Sequence, residues 1–298
     1  MTLLIAAAPA AIADRGMSAG QRFAPTLVAA LLVGMAWGWG AQHIAAAPTE
    51  PPGASPIVRV ADSGLGQAEK WQNRPDQEWR VLQRYLEASG EPSDDNADTI
   101  IVWPEGAIPA INFFMLENPD FMSVLGHGLG DRVLITGLTR REARGMDIAY
   151  FNSAAVIDGV NGEARISQTY DKNHLVPFGE YIPFHNSLLF FLDKLVEGIG
   201  DFEAGPGSTL LMFKPHEKTP PMTAAASNAD FHLKFGVVIC YEVIFPNLVR
   251  EFAANGADFM VTVTNDAWFG PSSAPYQHFG MVVFRAVENH VAFARAAN

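Results

Sequence analysis

Short apolar runs, bounded by polar or turn-forming residues, divide most of the chain after residue 57. Five of these runs are typical of buried strands: 99–103, 132–136, 150–157, 235–239 and 259–264. Apolar residues at helical spacing predict three helices, over 76–88, 246–255 and 276–291. Strands interleaved with helices predict an α/β domain.

One stretch near the N-terminus is too long and too apolar for this pattern. The 22 residues from Phe23 to Ile44 include no Asp, Glu, Lys or Arg. As a helix they would extend about 33 Å, enough to cross a bilayer core of about 30 Å. Trp37 and Trp39 lie near one end, where aromatic side chains meet lipid headgroups. We predict a transmembrane helix over 21–46. The alternative is a buried helix of a soluble domain, which is rarely apolar on every face.

The charges that flank this helix predict its orientation. Arg15 and Arg22 precede it, and the next basic residue is Arg59. Because basic residues favour the cytoplasmic side, the N-terminus is predicted to be cytoplasmic. Everything after residue 50 then lies outside, which in a bacterium means a domain in the periplasm, held at the inner (cytoplasmic) membrane.

The segments beside the helix complete the predicted domain organisation. Residues 1–13 are apolar but too short to span a bilayer, and no basic segment precedes them as in a signal peptide. We interpret 1–20 as the end of a preceding membrane helix and a cytoplasmic loop, with a signal peptide as the alternative. The Pro- and Ala-rich residues 47–56 are a predicted linker, and 57–298 form the globular domain.

Composition excludes several classes of function. The chain has 20 Lys+Arg against 32 Asp+Glu, a net charge of −12, which argues against nucleic acid as a partner. A single cysteine excludes an internal disulfide and any multi-cysteine metal site. The histidines lack metal-binding spacing, so we expect no metal or cofactor, and we expect His174 and His278 to be hydrogen-bonded structural residues. The glycine-rich segment 126–130 lacks the Lys-Ser/Thr of a phosphate-binding loop and is predicted to be a loop.

Three residues with useful chemistry follow predicted strands. Cys240 ends an apolar run, a position that would hold a nucleophile rigidly at a sheet edge; the alternative is an inert core thiol. Glu105 follows the strand-ending Pro104 and is suited to act as a general base, unless it is an exposed loop residue. Lys172 would favour a thiolate and stabilise an oxyanion, unless it lies on the surface. Strand ends are where sites gather in α/β folds.

Three segments carry a resemblance to known proteins. They are Trp103-Pro-Glu105, the stretch 170–183 around Lys172, and 264–270 followed by Gln277-His278. With glutamate, lysine and cysteine in this order, the chain resembles the nitrilase superfamily. Together with the membrane helix, the segments resemble its apolipoprotein N-acyltransferase family, from about residue 21 to residue 298.

The resemblance implies an α-β-β-α sandwich attached to a bundle of membrane helices. It also implies a reaction without a cofactor. The Cys240 thiolate takes an acyl chain from a phospholipid as a thioester, and the α-amine of a diacylglyceryl-cysteine at the N-terminus of an apolipoprotein then accepts it. Glu105 would be the base and Lys172 would stabilise the oxyanions. The donor phospholipid, the acceptor lipoprotein and the membrane are the implied partners.

The resemblance extends to supporting residues and shows where this chain departs from the family. Glu180 is expected to orient Lys172 or Glu105, while Tyr241 and Glu242 flank the nucleophile. Trp71 matches a pocket tryptophan, although the preceding residues 60–66 depart from the usual pattern. Family members have more membrane helices and further C-terminal strands, so the resemblance implies a piece shortened at both ends, with an incomplete catalytic domain.

Two other functions remain open on the sequence. One is a membrane-tethered nitrilase-type amidase that hydrolyses a small C–N substrate, and the other is a binding module with an inactive site. The membrane helix and the segment 264–270 favour the acyltransferase. The apolar run 184–195 is either part of the core or an arm that contacts the bilayer.

Overall fold

The computed structural model describes residues 2–46, 56–70, 72, 74, 76–93, 99–108, 117–183, 201–214 and 232–298. Two compact units divide the chain, Met1–Gly53 and Ala54–Asn298. Most of the predicted linker 47–56, together with Trp71 and the run 184–195, lies outside the described residues.

The N-terminal unit is helical, with α1 (Thr2–Ala7), α2 (Ala10–Ala13) and α3 (Ala19–Ala45). Ser18 begins α3 with a capping box, because its Oγ accepts from the Gln21 amide at 3.5 Å while the Gln21 Oε1 accepts from the Ser18 amide at 3.0 Å. Arg22 Nε donates to the Ile12 carbonyl at 2.9 Å. This bond ties the start of α3 to α2.

Helix α3 contains almost all of the predicted membrane span. It has 27 residues, and in the described part of the chain it is the one helix long and apolar enough to cross a membrane. Large side chains such as Leu27 and Trp37 are exposed along it. Length, composition and exposure fit contact with lipid, and the crossing itself stays a prediction.

The second unit contains two sheets. In the first, the strand order is β1 (Val58–Val60), β2 (Ile100–Val102), β3 (Val133–Arg144), β4 (Asp147–Val160) and β5 (Glu163–Asp171). Strands β1 to β3 are parallel, whereas β3, β4 and β5 form an antiparallel meander. The carboxyl ends of β2 and β5 carry polar residues toward the site.

The second sheet has the order β6 (Leu211–Phe213), β7 (Leu233–Ile239), β8 (Phe259–Thr264) and β9 (Ala292–Ala297). Strand β6 is antiparallel to β7, and β7, β8 and β9 are parallel. The five predicted strands are confirmed, although β3 and β4 are longer than the apolar runs that predicted them. Their outer halves are more exposed, so hydrophobicity did not mark them.

Helices cover both outer faces of the paired sheets. Helices α5 (Gln77–Ser89) and α6 (Pro119–Leu129), with the short α4 (Gln67–Lys70), lie beside the first sheet, while α7 (Pro246–Ala254) and α8 (Ala274–Asn289) lie beside the second. Between the sheets, apolar residues of both interlock in one core, among them Ile100, Val102, Val156, Phe235, Val237 and Val261. The predicted α-β-β-α sandwich is confirmed.

The prediction of a loop at 126–130 is wrong, because the residues from Gly126 to Leu129 form the last turn of α6. A Cβ on Gly126 would come within 2.3 Å of the Glu163 backbone, and one on Gly128 within 2.6 Å of Leu86. The glycines therefore allow close packing of α6 against β5 and α5. This packing outweighs the low helix propensity of glycine.

Candidate active site

The site is built at the ends of strands from both sheets. Lys172 directly follows β5 and Cys240 directly follows β7, while Glu105 lies three residues beyond β2. Hydrogen bonds through Asn152 and Glu180 connect Glu105 to Lys172, and Cys240 lies near enough to both for their charges to act on its thiol. The two packed sheets thus bring into one cluster residues that are widely separated along the chain.

Cys240 occupies an unusual backbone conformation. It has φ of 49° and begins a 3₁₀ turn, Cys240–Ile244. A side chain with a Cβ rarely adopts a positive φ, and such residues occur at functional turns where the surrounding structure holds them. A sharp strand-to-helix turn of this kind presents a nucleophile at the edge of a sheet.

The thiol of Cys240 is protonated at rest. Burial and the nearby negative charge of Glu105 raise its pKa to about 12, against the lowering effects of Lys172 and of hydrogen bonds with Thr264 and the Asn265 backbone. Lys172 does favour the thiolate, as expected from the sequence, but its effect is outweighed. To act as a nucleophile, such a thiol would need a base that removes its proton.

Lys172 is a buried cation between acidic groups. Its side chain is 1% exposed, and Nζ donates to Glu180 Oε1 at 2.9 Å. Burial alone would lower the pKa of Lys172, but Glu105, Glu180 and Cys240 together raise it above its usual value. The lysine is therefore charged and able to stabilise an oxyanion.

Both carboxylate oxygens of Glu105 are held. Oε1 accepts from Asn152 Nδ2 at 2.8 Å, and Oε2 accepts from the Asn265 amide at 3.1 Å. The backbone behind Glu105 packs on Gly137, where a Cβ would lie 2.7 Å from the Glu105 Cα. Only glycine at 137 allows the carboxylate this position.

Glu180 connects Lys172 to Glu105 by way of Asn152. Its Oε1 accepts from Lys172 Nζ and, at 2.6 Å, from Asn152 Nδ2, while Oε2 accepts from the Val176 amide at 2.8 Å. Since Asn152 donates to both carboxylates, Glu180 orients Lys172 directly and Glu105 through the amide.

Glu242 is a buried carboxylate that joins the nucleophile turn to the lysine loop. It accepts from the amides of Ile239 at 2.8 Å, Asn173 at 2.6 Å and His174 at 3.1 Å, and from the Tyr170 hydroxyl at 3.0 Å. Burial raises the pKa of Glu242 in spite of these donors. The side chain holds backbone in place and belongs to the support of the site.

Tyr241 lies beside an open cleft next to the nucleophile. Its ring meets Phe245 edge-on at 5.1 Å, and Phe245 stacks on His174 at 4.2 Å. The cleft has a volume of about 610 Å³, and its lining is largely apolar and aromatic: Asn173, His174, Leu175, Pro177, Tyr181, Asp201, Phe202, Ala204, Tyr241 and Phe245. The cleft therefore opens beside Tyr241, the residue that follows Cys240. The role of Trp71 stays a prediction.

Several residues of the site were missed by sequence reasoning. Asn152 lies inside an apolar strand, where a lone amide is the available signal. Arg295 donates to Asp266, and Asp266 contacts His278. His278 in turn reaches Cys240, since its Nε2 is 3.0 Å from the Cys240 carbonyl oxygen. The expectation that His278 is a hydrogen-bonded residue is confirmed, but its partner was not foreseen.

Residues 59–298 match the carbon-nitrogen hydrolase family over most of the chain. The chain belongs to this family. Within it, the chain is similar to proteins named apolipoprotein N-acyltransferase, which confirms the predicted resemblance. The protein from Rhizobium rhizogenes is 35% identical over 305 residues, which is 100% of this chain and 52% of the relative.

A second relative of the same name, from Geobacter metallireducens, is 37% identical over 280 residues, covering 91% of this chain and 47% of the relative. The chain thus spans about half the length of the curated relatives it matches. Among solved structures, Nit3 of Saccharomyces cerevisiae, a member of the nitrilase superfamily, is similar with a TM-score of 0.50 and 20% identity. The similarity covers 84% of this chain and 78% of the Nit3 chain, and it supports the sandwich fold.

Proposed function

We propose that this chain carries the catalytic domain of an apolipoprotein N-acyltransferase. The reaction moves an acyl chain from a phospholipid to the α-amine of the diacylglyceryl-cysteine that begins an apolipoprotein. Cys240 carries the acyl chain between the two substrates as a thioester. The names of the relatives and the apolar helix α3 support a lipid substrate, while the cluster around Cys240 supports covalent acyl transfer.

In the first half-reaction, Glu105 removes the proton from the Cys240 thiol as the sulfur attacks the ester carbonyl of the phospholipid. The carbonyl oxygen gains negative charge, which the Lys172 ammonium stabilises. The ester C–O bond then breaks, and the protonated Glu105 returns its proton to the departing glycerol oxygen. The products are the thioester and a lysophospholipid.

In the second half-reaction, the acceptor amine attacks the thioester carbonyl. Glu105 takes a proton from the amine nitrogen, Lys172 again stabilises the oxyanion, and the C–S bond breaks. The proton returns to sulfur, which regenerates the Cys240 thiol and releases the amide. Glu105 serves as the base in both steps. Asn152 and the Asn265 amide hold its two carboxylate oxygens, so it stays in the same place for both.

The observation that carries this proposal is the charge balance at Cys240. Two carboxylates, Glu105 and Glu180, share one ammonium, Lys172, so a thiolate would add a further negative charge to a buried cluster. This balance keeps the thiol protonated until a substrate carbonyl is present to take up the charge. A thiol in such a site is expected to react slowly with electrophiles other than the bound substrate.

We further propose that α3 spans the bacterial inner membrane with the catalytic domain on the periplasmic side. The Arg15 and Arg22 charges before α3 support this orientation. The phospholipid and the lipoprotein acceptor would both reach the site from the periplasmic side of the inner membrane.

Intact mass spectrometry of the detergent-solubilised protein after incubation with phospholipid tests the function. We expect one added acyl mass, removed by neutral hydroxylamine. Cys240→Ala should show no adduct. Any adduct on Cys240→Ser should resist neutral hydroxylamine, because an oxygen ester is less reactive than a thioester.

The competing amidase function predicts a different outcome. The protein would then release ammonia from a small aliphatic amide and acquire no acyl group from phospholipid. That result would replace the lipid substrate while keeping Cys240 as the nucleophile. An acyl adduct that persists in Cys240→Ala would contradict both functions.

A further inference from the structure

The carbonyl oxygen of the nucleophile has its own hydrogen-bond donor. His278 Nε2 lies 3.0 Å from the Cys240 oxygen, and the imidazole is 7% exposed. A carbonyl oxygen only accepts, so Nε2 carries a proton in this contact. The bond reaches the residue whose φ is positive, at the start of the turn that presents the thiol.

A buried carboxylate fixes the other side of the ring. Asp266 Oδ1 is 2.9 Å from His278 Nδ1 and 3.2 Å from the Thr264 hydroxyl, while Oδ2 accepts from the Arg295 guanidinium. Burial would raise the pKa of Asp266, but His278 and Arg295 lower it, so the group is ionised. The Asp266 carboxylate thus holds one edge of the ring while the other edge faces the Cys240 carbonyl oxygen.

The network brings separate elements to one atom of the nucleophile. His278 belongs to α8, Arg295 to β9, and Asp266 to the turn after β8, Asp266–Phe269. None of them is among the residues that exchange protons or stabilise charge in the proposed reaction. Their common endpoint is the peptide group that follows Cys240.

We propose that His278 is a positioning residue that holds Cys240 in its left-handed conformation through the carbonyl oxygen, with Asp266 and Arg295 orienting the ring. Without this bond, Cys240 relaxes toward an ordinary negative φ, and the rotation about its N–Cα bond moves Sγ away from Glu105 and Lys172. The inference rests on the proposed role of Cys240 as nucleophile.

Two substitutions separate the two ring contacts. In His278→Gln, the side-chain amide nitrogen reaches the place of Nε2 and keeps the bond to Cys240. In His278→Asn, it reaches the place of Nδ1 and keeps only the contact with Asp266. His127→Asn, on the exposed face of α6, is the surface control.

Single-turnover thioester formation from phospholipid distinguishes positioning from folding. We expect His278→Asn to slow the rate constant at least tenfold, while the final amplitude stays at one acyl group per protein. His278→Gln should stay within about threefold of the parent protein, and His127→Asn should match it. A loss of amplitude at an unchanged rate, or equal slowing in the Gln and Asn variants, would overturn the proposal.

Alkylation of the single cysteine by iodoacetamide gives a readout that does not depend on the lipid reaction. A displaced thiol loses the effects of burial and of Glu105, which outweigh the loss of Lys172, so it ionises more easily. At pH 9, His278→Asn should therefore react several-fold faster than His278→Gln or the parent. If the parent forms no thioester but this order holds, the acyltransferase function fails and the positioning role stands. If thioester forms equally fast in all variants, the positioning role fails and the function stands.

Discussion

The two sheets contribute to the site in different ways. The five-stranded sheet supplies Glu105, Asn152 and Lys172, which are held mainly by bonds between side chains. The four-stranded sheet supplies Cys240, which is held through its backbone, by the turn that follows β7 and by the bond from His278. Glu105, Asn152 and Lys172 therefore depend on one another's side chains, whereas Cys240, the proposed nucleophile, depends on the path of the chain.

Two carboxylates cross from one half to the other. Glu105 of the first sheet accepts from the Asn265 amide of the second, and Glu242 of the second accepts from the Asn173 and His174 amides of the first. The second sheet thus holds the Glu105 carboxylate of the first, and the Glu242 carboxylate of the second holds the backbone at Asn173 and His174. Changes on the first sheet should alter charge and reactivity, and changes on the second should alter geometry.

Lys172→Met should have the largest combined effect on activity and stability, because it removes the cation that Glu105 and Glu180 share. We expect thioester formation to fall by about 10³-fold, the upper end for loss of one oxyanion donor. Stability should fall by about 3 kcal/mol, since Glu180, whose side chain is 12% exposed, loses its charged partner. Single-turnover mass spectrometry and thermal melting in detergent measure the two effects.

The double variant Lys172→Met with Glu180→Gln is the control for this prediction. Removing the uncompensated charge should recover much of the melting temperature but none of the activity. Recovery of activity would mean that Lys172 only neutralises Glu180.

Glu105→Gln should separate chemistry from thiol reactivity. Loss of the general base should slow thioester formation by about 10² to 10⁴-fold. The pKa of Cys240, raised to about 12 partly by Glu105, should fall, so alkylation by iodoacetamide at pH 9 should become faster. In the parent protein, the alkylation rate should rise about tenfold per pH unit from pH 8 to 10 without a plateau, because only the thiolate reacts.

Equal alkylation rates in the parent and in Glu105→Gln across this pH range would contradict the electrostatic coupling. A plateau near pH 9 in the parent would show an ordinary thiol.

Gly137→Ala tests position without changing charge. The added methyl group would lie 2.7 Å from the Glu105 Cα, so the base must shift. We expect a rate loss of up to about 10²-fold, as for a displacement near 1 Å, with Lys172 and Cys240 unchanged. Gly66→Ala, where nothing lies within 4 Å of the added carbon, should leave the rate unaltered. Equal rates in the two variants would show that Gly137 does not set the position of the base.

Tyr170→Phe should have the smallest effect. It removes one of the four donors to Glu242 and leaves the three backbone amides in place. We expect a loss of about 1 kcal/mol in stability, the usual contribution of one hydrogen bond, and an unchanged rate of thioester formation. A large loss of rate would give Tyr170 a direct part in the chemistry.

Much of the fold was predictable from the sequence because its strands are buried on both faces. Val237, Ile239 and Val261, for example, sit in runs that are nearly all apolar and have abrupt polar ends. The ends of these runs also identified Glu105, Lys172 and Cys240 as candidate site residues. A reactive residue at the end of a buried strand differs sharply from its neighbours, and this contrast can be seen without a structure.

The rest depended on contacts between distant parts of the chain. Asn152 and His278 look like ordinary polar residues within a strand and a helix, and only the packing of both sheets gives them partners. The glycine-rich segment 126–130 was predicted to be a loop, but its glycines lie in α6, where close contact with β5 and α5 requires small residues. Contacts of this kind have no local signature.

The bond between Glu105 and the Asn265 amide also sets an order in time. It spans 160 residues, so the base is complete only after the second sheet has been synthesised and has paired with the first. During synthesis, Cys240 emerges after Glu105 and Lys172 but before Asn265 and His278, so its thiol is present before the bonds to Glu105 and to the Cys240 carbonyl can form. Under the proposed function, a chain still being synthesised would therefore carry the thiol without the bonds that place it, and the site would be complete only when folding ends.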